Sequence, residues 1–295
     1  MGESYCKSCD KNINGSCALG AEESCTQKQK AAFLNRVENI IAVMSGKGGV
    51  GKSSLTALLA AGLAKRKYRV GILDADITGP SIPKMFGLKD GRLGVSEAGM
   101  LPVFSRGGIK IVSMSFLLER ESDPVIWRGP LIAGAVKQFW EEVVWGELDY
   151  LLVDLPPGTG DVPLTVMQSI PLGGIIVVTS PQELVRTIVK KAIKMARVLK
   201  VPVLGLIENM SYVICPHCGE KIDVFGKPQG EQVAAESKIE FLGKMPIDVV
   251  FTEMADKGMV EEYLEQKEEV FVSPIINLFL EKTRKETSKK TADSR

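Results

Sequence analysis

The chain has 295 residues, 45% of them apolar and 25% charged, with a formal net charge of +1. That is enough for one large α/β domain with tails and a full core, and the near-neutral balance does not point to a nucleic-acid partner. No stretch reaches about 18 uncharged apolar residues, so no transmembrane helix is expected.

The N-terminus, Met1-Gly2-Glu3-Ser4-Tyr5-Cys6, lacks the basic and apolar regions of a signal peptide. Cys6 also stands where a myristoylation motif expects Ser or Thr. A cytoplasmic protein with no membrane partner is therefore expected. Six cysteines in that compartment read as ligands or catalytic thiols more than as disulfides.

Residues 1–34 form a polar, cysteine-rich extension without helical or strand period. Cys6 and Cys9 have two residues between them, and Cys17 and Cys25 follow, each after seven more. Four thiolates on a short chain can enclose an iron–sulfur cluster or a zinc ion, or remain unliganded.

Residues 35–281 read as one domain. Ile40 to Met44 is a buried strand, and Leu55, Leu58, Leu59 and Leu63 recur at helical spacing after it. Between them lies Gly46-Lys47-Gly48-Gly49-Val50-Gly51-Lys52-Ser53, followed by Ser54. This fits G-x-x-x-x-G-K-S, a turn whose backbone N–H groups surround an anion at the positive end of a helix dipole. Lys52 would reach the terminal phosphates and the Ser53 hydroxyl would ligate Mg²⁺.

Further strands are expected at Arg69 to Leu73, Ile109 to Met114, Tyr150 to Val153, Ile175 to Thr179, Val203 to Ile207 and Phe241 to Met245. Helices lie between, notably Leu131 to Val144 and Glu183 to Leu199. Apolar strands alternating with helices predict an α/β fold, a mainly parallel sheet with helices on both faces. Ligands in such sheets sit at the carboxyl ends of the strands. Gly46, Asp74, Asp154 and Asn209 all fall there.

Asp74-Ala75-Asp76 follows the second strand, and two carboxylates there can act on Mg²⁺ and on water. Asp154 closes an apolar strand as a Walker B aspartate does, which would let it hold Mg²⁺ through water. The loop Leu155-Pro156-Pro157-Gly158-Thr159-Gly160-Asp161 could sense a γ-phosphate in the manner of a switch. The Asn209 amide offers a donor and an acceptor to an adenine edge. Cys215-Pro216-His217-Cys218 supplies two thiols, too few for a closed metal site. A partner subunit's pair, the N-terminal cysteines or a redox disulfide would complete them, and zinc competes with an iron–sulfur cluster for four thiolates. Residues 282–295 are polar and expected to be disordered. The helix before them carries Ile275, Ile276, Leu278, Phe279 and Leu280, a face expected to pack on the domain instead of a membrane.

Lys47, just after the first glycine, makes the loop similar to the deviant K-G-G-x-x-G-K-S/T loop of the MinD/ParA/nitrogenase-iron-protein class. That resemblance implies ATP as the nucleotide, bound within a dimer in which Lys47 reaches the partner's nucleotide. It implies that Asp76 orients or deprotonates the attacking water, with Asp74 nearer the metal. Asn209 then reads adenine, with Pro246-Ile247-Asp248 alongside.

Together with Trp127-Arg128-Gly129-Pro130, Glu208-Asn209-Met210-Ser211 and the C-P-H-C turn, these motifs resemble the Mrp/ApbC family over roughly residues 35–280. Its members are P-loop ATPases that carry or scaffold iron–sulfur clusters. The resemblance implies a homodimer with a 4Fe–4S cluster bridged by Cys215 and Cys218 of both chains, slow ATP hydrolysis, and apo iron–sulfur proteins as acceptors. The N-terminal extension is similar in kind to that of the eukaryotic cytosolic scaffold branch, with different spacing. The rival readings are a MinD/ParA-type positioning ATPase on membrane or DNA, a zinc-stapled targeting ATPase, and a nitrogenase-like reductase.

Overall fold

A computed structural model describes residues 12–13, 16–17, 31, 34–76, 81–88, 91–117, 129–182 and 185–293. The domain opens with β1 (Arg36–Ser45), α1 (Lys52–Lys65), β2 (Val70–Asp74) and α2 (Ile82–Met85). The short strands β3 (Gly94–Ser96), β4 (Gly99–Leu101) and β5 (Val103–Phe104) follow, then β6 (Lys110–Ser113). Next come α3 (Gly129–Glu142), β7 (Glu147–Asp154), α4 (Asp161–Ser169), β8 (Gly174–Thr179), α5 (Val185–Val198) and β9 (Val203–Glu208). A hairpin of β10 (Val213–Ile214) and β11 (Lys221–Ile222) precedes α6 (Gly230–Ser237) and β12 (Phe241–Lys244). The chain closes with α7 (Val249–Asp256), α8 (Val260–Lys267) and α9 (Ser273–Asp293).

The main sheet runs β12-β9-β8-β1-β7-β2-β6-β5. All its pairs are parallel except β6 with β5 at one edge. Alternation along each strand divides the core. Ile41, Val43, Ile72, Ile111, Leu152 and Val178 face α1, α8 and α9. Ala42, Met44, Leu73, Val112, Val153 and Val177 face α3, α4 and α5. Residues on both faces of the central strands are buried, which is why these strands read as continuous apolar runs. Each fully buried aliphatic or aromatic side chain contributes about 1.5–3 kcal/mol. The glycine-rich stretch after Phe86 holds β3 to β5, too short to show a period in sequence.

Register places the chemistry at one edge. Asp154 pairs with Val43 on β1 and with Asp74 on β2. The P-loop and both aspartates therefore emerge together.

The C-terminal segment departs from expectation. Where disorder is expected from residue 282, α9 continues to Asp293. Thr283 is buried, and its hydroxyl lies 3.2 Å from the Tyr150 hydroxyl. Thr287 donates to Asn39 at 3.2 Å, and Lys282 pairs with Glu240 at 2.5 Å. The polar composition is thus that of a surface helix seated on the sheet's far end. Its apolar face, Ile275, Ile276, Phe279 and Leu280, is buried in the core as expected. Among the described residues no helix is long and apolar enough to cross a membrane.

Candidate nucleotide and thiol sites

Gly46 to Gly51 link β1 to α1. Gly51 is the N-cap of α1 with φ 77°, a left-handed conformation that suits glycine. A Cβ there would lie 2.1 Å from Nδ2 of Asn209. No side chain caps α1, and its first turn has no acidic residue, so the positive end of its dipole faces the loop. Ser54 sits half-buried in that turn.

Lys52 is only 5% exposed. Its Nζ lies 2.6 Å from Asp154 Oδ2 and 3.7 Å from Asp76 Oδ2. The Ser53 hydroxyl donates to the same Asp154 oxygen at 2.5 Å, and Thr56 donates to Asp154 Oδ1 at 2.7 Å. A buried ion pair is tolerable only when its remaining lone pairs are met this way.

Asp74 is fully buried beside Asp154. Burial, and then the like charge of Asp154, push its carboxyl up to about 8. Its two oxygens accept from Ser113 Oγ at 2.9 Å and from the Asp76 N–H at 3.1 Å. Asp74 therefore holds its proton to well above the usual carboxylate range in this arrangement.

The loop after β7 is tied to the end of β1, just ahead of the P-loop. The N–H groups of Leu155 and Gly158 donate to the carbonyls of Val43 and Ser45 at 3.0 and 2.8 Å. Lys47, on the exposed rim, donates to Gln182 Oε1 at 3.0 Å.

Asn209 is buried at the end of β9. Its Nδ2 donates to the Val50 carbonyl at 2.9 Å, so the donor half of its amide already serves the P-loop. Pro246 is buried in the loop after β12. Asp248 caps α7 through the Val250 N–H at 2.8 Å and accepts from the Tyr263 hydroxyl at 2.9 Å.

The thiols sit apart from this cluster, on the turn of the β10–β11 hairpin. Cys215 and Cys218 are free, so a disulfide between them is not the arrangement found. Cys218 is exposed and Cys215 half-buried. The N–H groups of Cys218 and His217, with the Cys218 thiol, hold the Cys215 thiol below its ordinary range. The Cys215 N–H donates to the Glu220 carbonyl and the Gly219 N–H to that of Cys215, both at 2.9 Å. Among the described residues no His, Cys, Asp or Glu joins this pair to make a group of three. Two thiols alone are too few for a closed metal site.

The structure thus brings Lys52, Ser53, Asp76 and Asp154 into contact, with Asp74 beside them and Asn209 over the loop. Cys6, Cys9 and Cys25 lie outside the described residues. Cys17 is described only by its backbone, in a two-residue strand paired with Asn12–Ile13. Thr78-Gly79-Pro80 and Trp127-Arg128 also lie outside. Sequence reasoning missed Thr56, Ser113 and Gln182. Thr56 carried a usable signal, one helical turn after Lys52. Ser113 did not, because its pairing with Asp74 is a matter of strand register.

Known proteins resemble this chain in sequence and in fold. The family model described as the NUBPL iron-transfer P-loop NTPase, of the ParA group, matches residues 36–280. An iron-sulfur cluster carrier protein of Methanocaldococcus jannaschii is 47% identical over 250 residues, covering 84% of this chain and 86% of its own. The cytosolic Fe-S cluster assembly factor CFD1 of Yarrowia lipolytica is 40% identical over 277 residues, covering 91% and 95%. A nucleotide-binding protein of Archaeoglobus fulgidus, solved in complex with ADP, superposes with a TM-score of 0.73 at 49% identity, covering 83% of this chain and 97% of its own. The septum site-determining protein MinD of Pyrococcus horikoshii, solved with Mg-ADP, has a TM-score of 0.59 at 21% identity, covering 83% and 96%, a likeness of fold alone.

Proposed function

The chain belongs to the family of NUBPL iron-transfer P-loop NTPases, and from that premise we propose that it is an ATP-dependent carrier of iron–sulfur clusters. Its cargo would be a 4Fe–4S cluster bound between two copies of the chain. Each copy would supply Cys215 and Cys218, and the cluster would pass to apo iron–sulfur proteins. The observation that carries this reading is the preformed pair of free thiols on an exposed turn, with Cys215 biased toward thiolate by backbone N–H groups. A two-chain, surface-held cluster can be loaded and released, whereas one enclosed by four ligands of a single chain is held fast. Relatives at 40–47% identity are named for cluster carriage or assembly, which favours this reading over a positioning ATPase. The cytosolic CFD1 relative supports a cytoplasmic compartment.

The nucleotide chemistry follows from the charged cluster. Incoming phosphate competes with Asp154 for Lys52, and the loop amides and the α1 dipole favour the exchange. The oxygen donors Ser53 and Asp154 suit a magnesium ion carried in with ATP, which would neutralise phosphate charge when bound. Asp76, within reach of Lys52, is the group to orient or deprotonate the attacking water. Lys47, on the rim, is free to leave Gln182 for the partner's nucleotide. Asn209, Pro246 and Asp248 would line the adenine side. Hydrolysis with Asp76 as the sole base would be slow, and closure of the dimer would shift the spacing of the two thiol pairs. The N-terminal Cys6, Cys9, Cys17 and Cys25 remain candidates for a second cluster or zinc.

The test is anaerobic reconstitution of the chain and of the double variant Cys215→Ser/Cys218→Ser, with iron and sulfide counts and transfer to an apo-acceptor. The proposal expects a labile cluster on the native chain and no transferable cluster on the variant. A variant that still loads and transfers its cluster would overturn it.

A further inference from the structure

The two sites are joined by one short piece of chain. Glu208 ends β9, Asn209 touches the P-loop, and β10 begins at Val213 with Cys215 two residues beyond. Each residue between is pinned. Met210 has φ 56°, left-handed although not glycine, which costs about 1–2 kcal/mol and persists only where the surroundings impose it. Ser211 donates through its N–H to the Met245 carbonyl at 2.9 Å and through its hydroxyl to Glu208 Oε1 at 2.8 Å. The Tyr212 carbonyl accepts the Ile247 N–H at 2.8 Å. The Lys221 ammonium, on the far strand of the thiol hairpin, lies 4.5 Å over the Tyr212 ring.

Glu208 fixes the base of this piece. It is 1% exposed, and its second oxygen accepts the N–H groups of Gln229 and Gly230 at the start of α6. A Cβ at Gly230 would lie 2.8 Å from that of Glu208, so the close approach depends on glycine there. One end of the segment therefore rests on a helix start and, through Asn209, on the P-loop, and the other end carries the thiols.

We infer that Glu208 to Tyr212 couple the P-loop to the Cys215–Cys218 turn within a single chain, with Ser211 and Lys221 as positioning residues. The inference rests on the carrier reading and adds its internal linkage. Phosphate binding reshapes the loop that includes Val50, and the Val50 carbonyl draws Asn209 with it. The strain at Met210 changes, and the bonds of Ser211 and Tyr212 pass the displacement to the hairpin through the Lys221–ring contact. Coupling of this kind is a free energy between two sites and works in both directions.

The experiment measures iodoacetamide labelling of Cys215 and Cys218, resolved by peptide mass spectrometry, on the reduced, metal-free full chain with and without Mg-ADP. Affinity for a fluorescent ADP analogue is titrated separately. In the native chain ADP is expected to change the labelling rate by a factor of about five or more. Ser211→Ala or Lys221→Gln is expected to keep ADP affinity within about twofold while losing most of that change. A merely structural role would alter labelling equally with and without nucleotide. Labelling indifferent to ADP in a native chain that binds it, or both variants keeping the full change, overturns the coupling and leaves the carrier reading standing. A native chain that binds no ADP overturns the nucleotide reading, and the coupling with it.

Discussion

Asp154 is where the charges of the nucleotide site meet. It accepts from Lys52, Ser53 and Thr56, and its neighbour across the strands is Asp74. Two buried carboxylates side by side cannot both ionise cheaply, so Asp74 holds its proton up to about 8. The consequence for stability has a definite sign. The folded chain binds this proton more tightly than the unfolded chain, whose carboxyl titrates near 3.8. The stability Asp74 lends is complete below that value and is lost as pH rises through about 8. Asp74→Asn mimics the protonated form at every pH. Urea unfolding at about pH 5 and about pH 9 should show the variant gaining on the native chain by on the order of 4 kcal/mol between the two. Equal gaps at both pH values would contradict a protonated Asp74. The glycines, Lys52, Ser53 and Asp154 were legible in sequence because a phosphate loop and a strand-ending aspartate are local patterns. Ser113 and the proton on Asp74 were not, because both arise from which strands lie side by side.

At the scale of the element, α9 shows how composition misleads. A run of lysines, threonines and serines after Leu280 reads as a tail, yet it continues as helix to Asp293. Lysine, glutamate and arginine are good helix formers, and Thr283 docks against Tyr150. Truncation after Glu281 should lower stability by about 1–3 kcal/mol, because it removes Thr283 and exposes the Tyr150 hydroxyl. Truncation after Ser288 should cost less than about 0.5 kcal/mol. Urea denaturation of the two truncations decides the point, and equal stability would mean that the docked turn contributes nothing. The thiol hairpin is the opposite case. Two strands of two residues each are invisible to periodicity, but the spacing Cys215-Pro216-His217-Cys218 announced the turn they hold.

At the scale of the molecule, the alternation of strands and helices was legible because both faces of the sheet are covered, and strands buried on both sides read as apolar runs. The strand order was not, since crossovers leave no mark in local sequence. That order sets β1 between β7 and β8 and so gathers the P-loop, both aspartates and Asn209 at one edge. The thiol turn follows directly from that edge, and its two sulfurs are half of what a cluster requires. We propose that a second copy supplies the other half. Native mass spectrometry of the anaerobically reconstituted full chain, with Cys6, Cys9, Cys17 and Cys25 replaced by serine, tests it most directly. The expected species is a dimer whose mass exceeds that of two chains by a single 4Fe–4S cluster. A cluster on the monomer, or a dimer that retains zinc and takes up no iron, would contradict it.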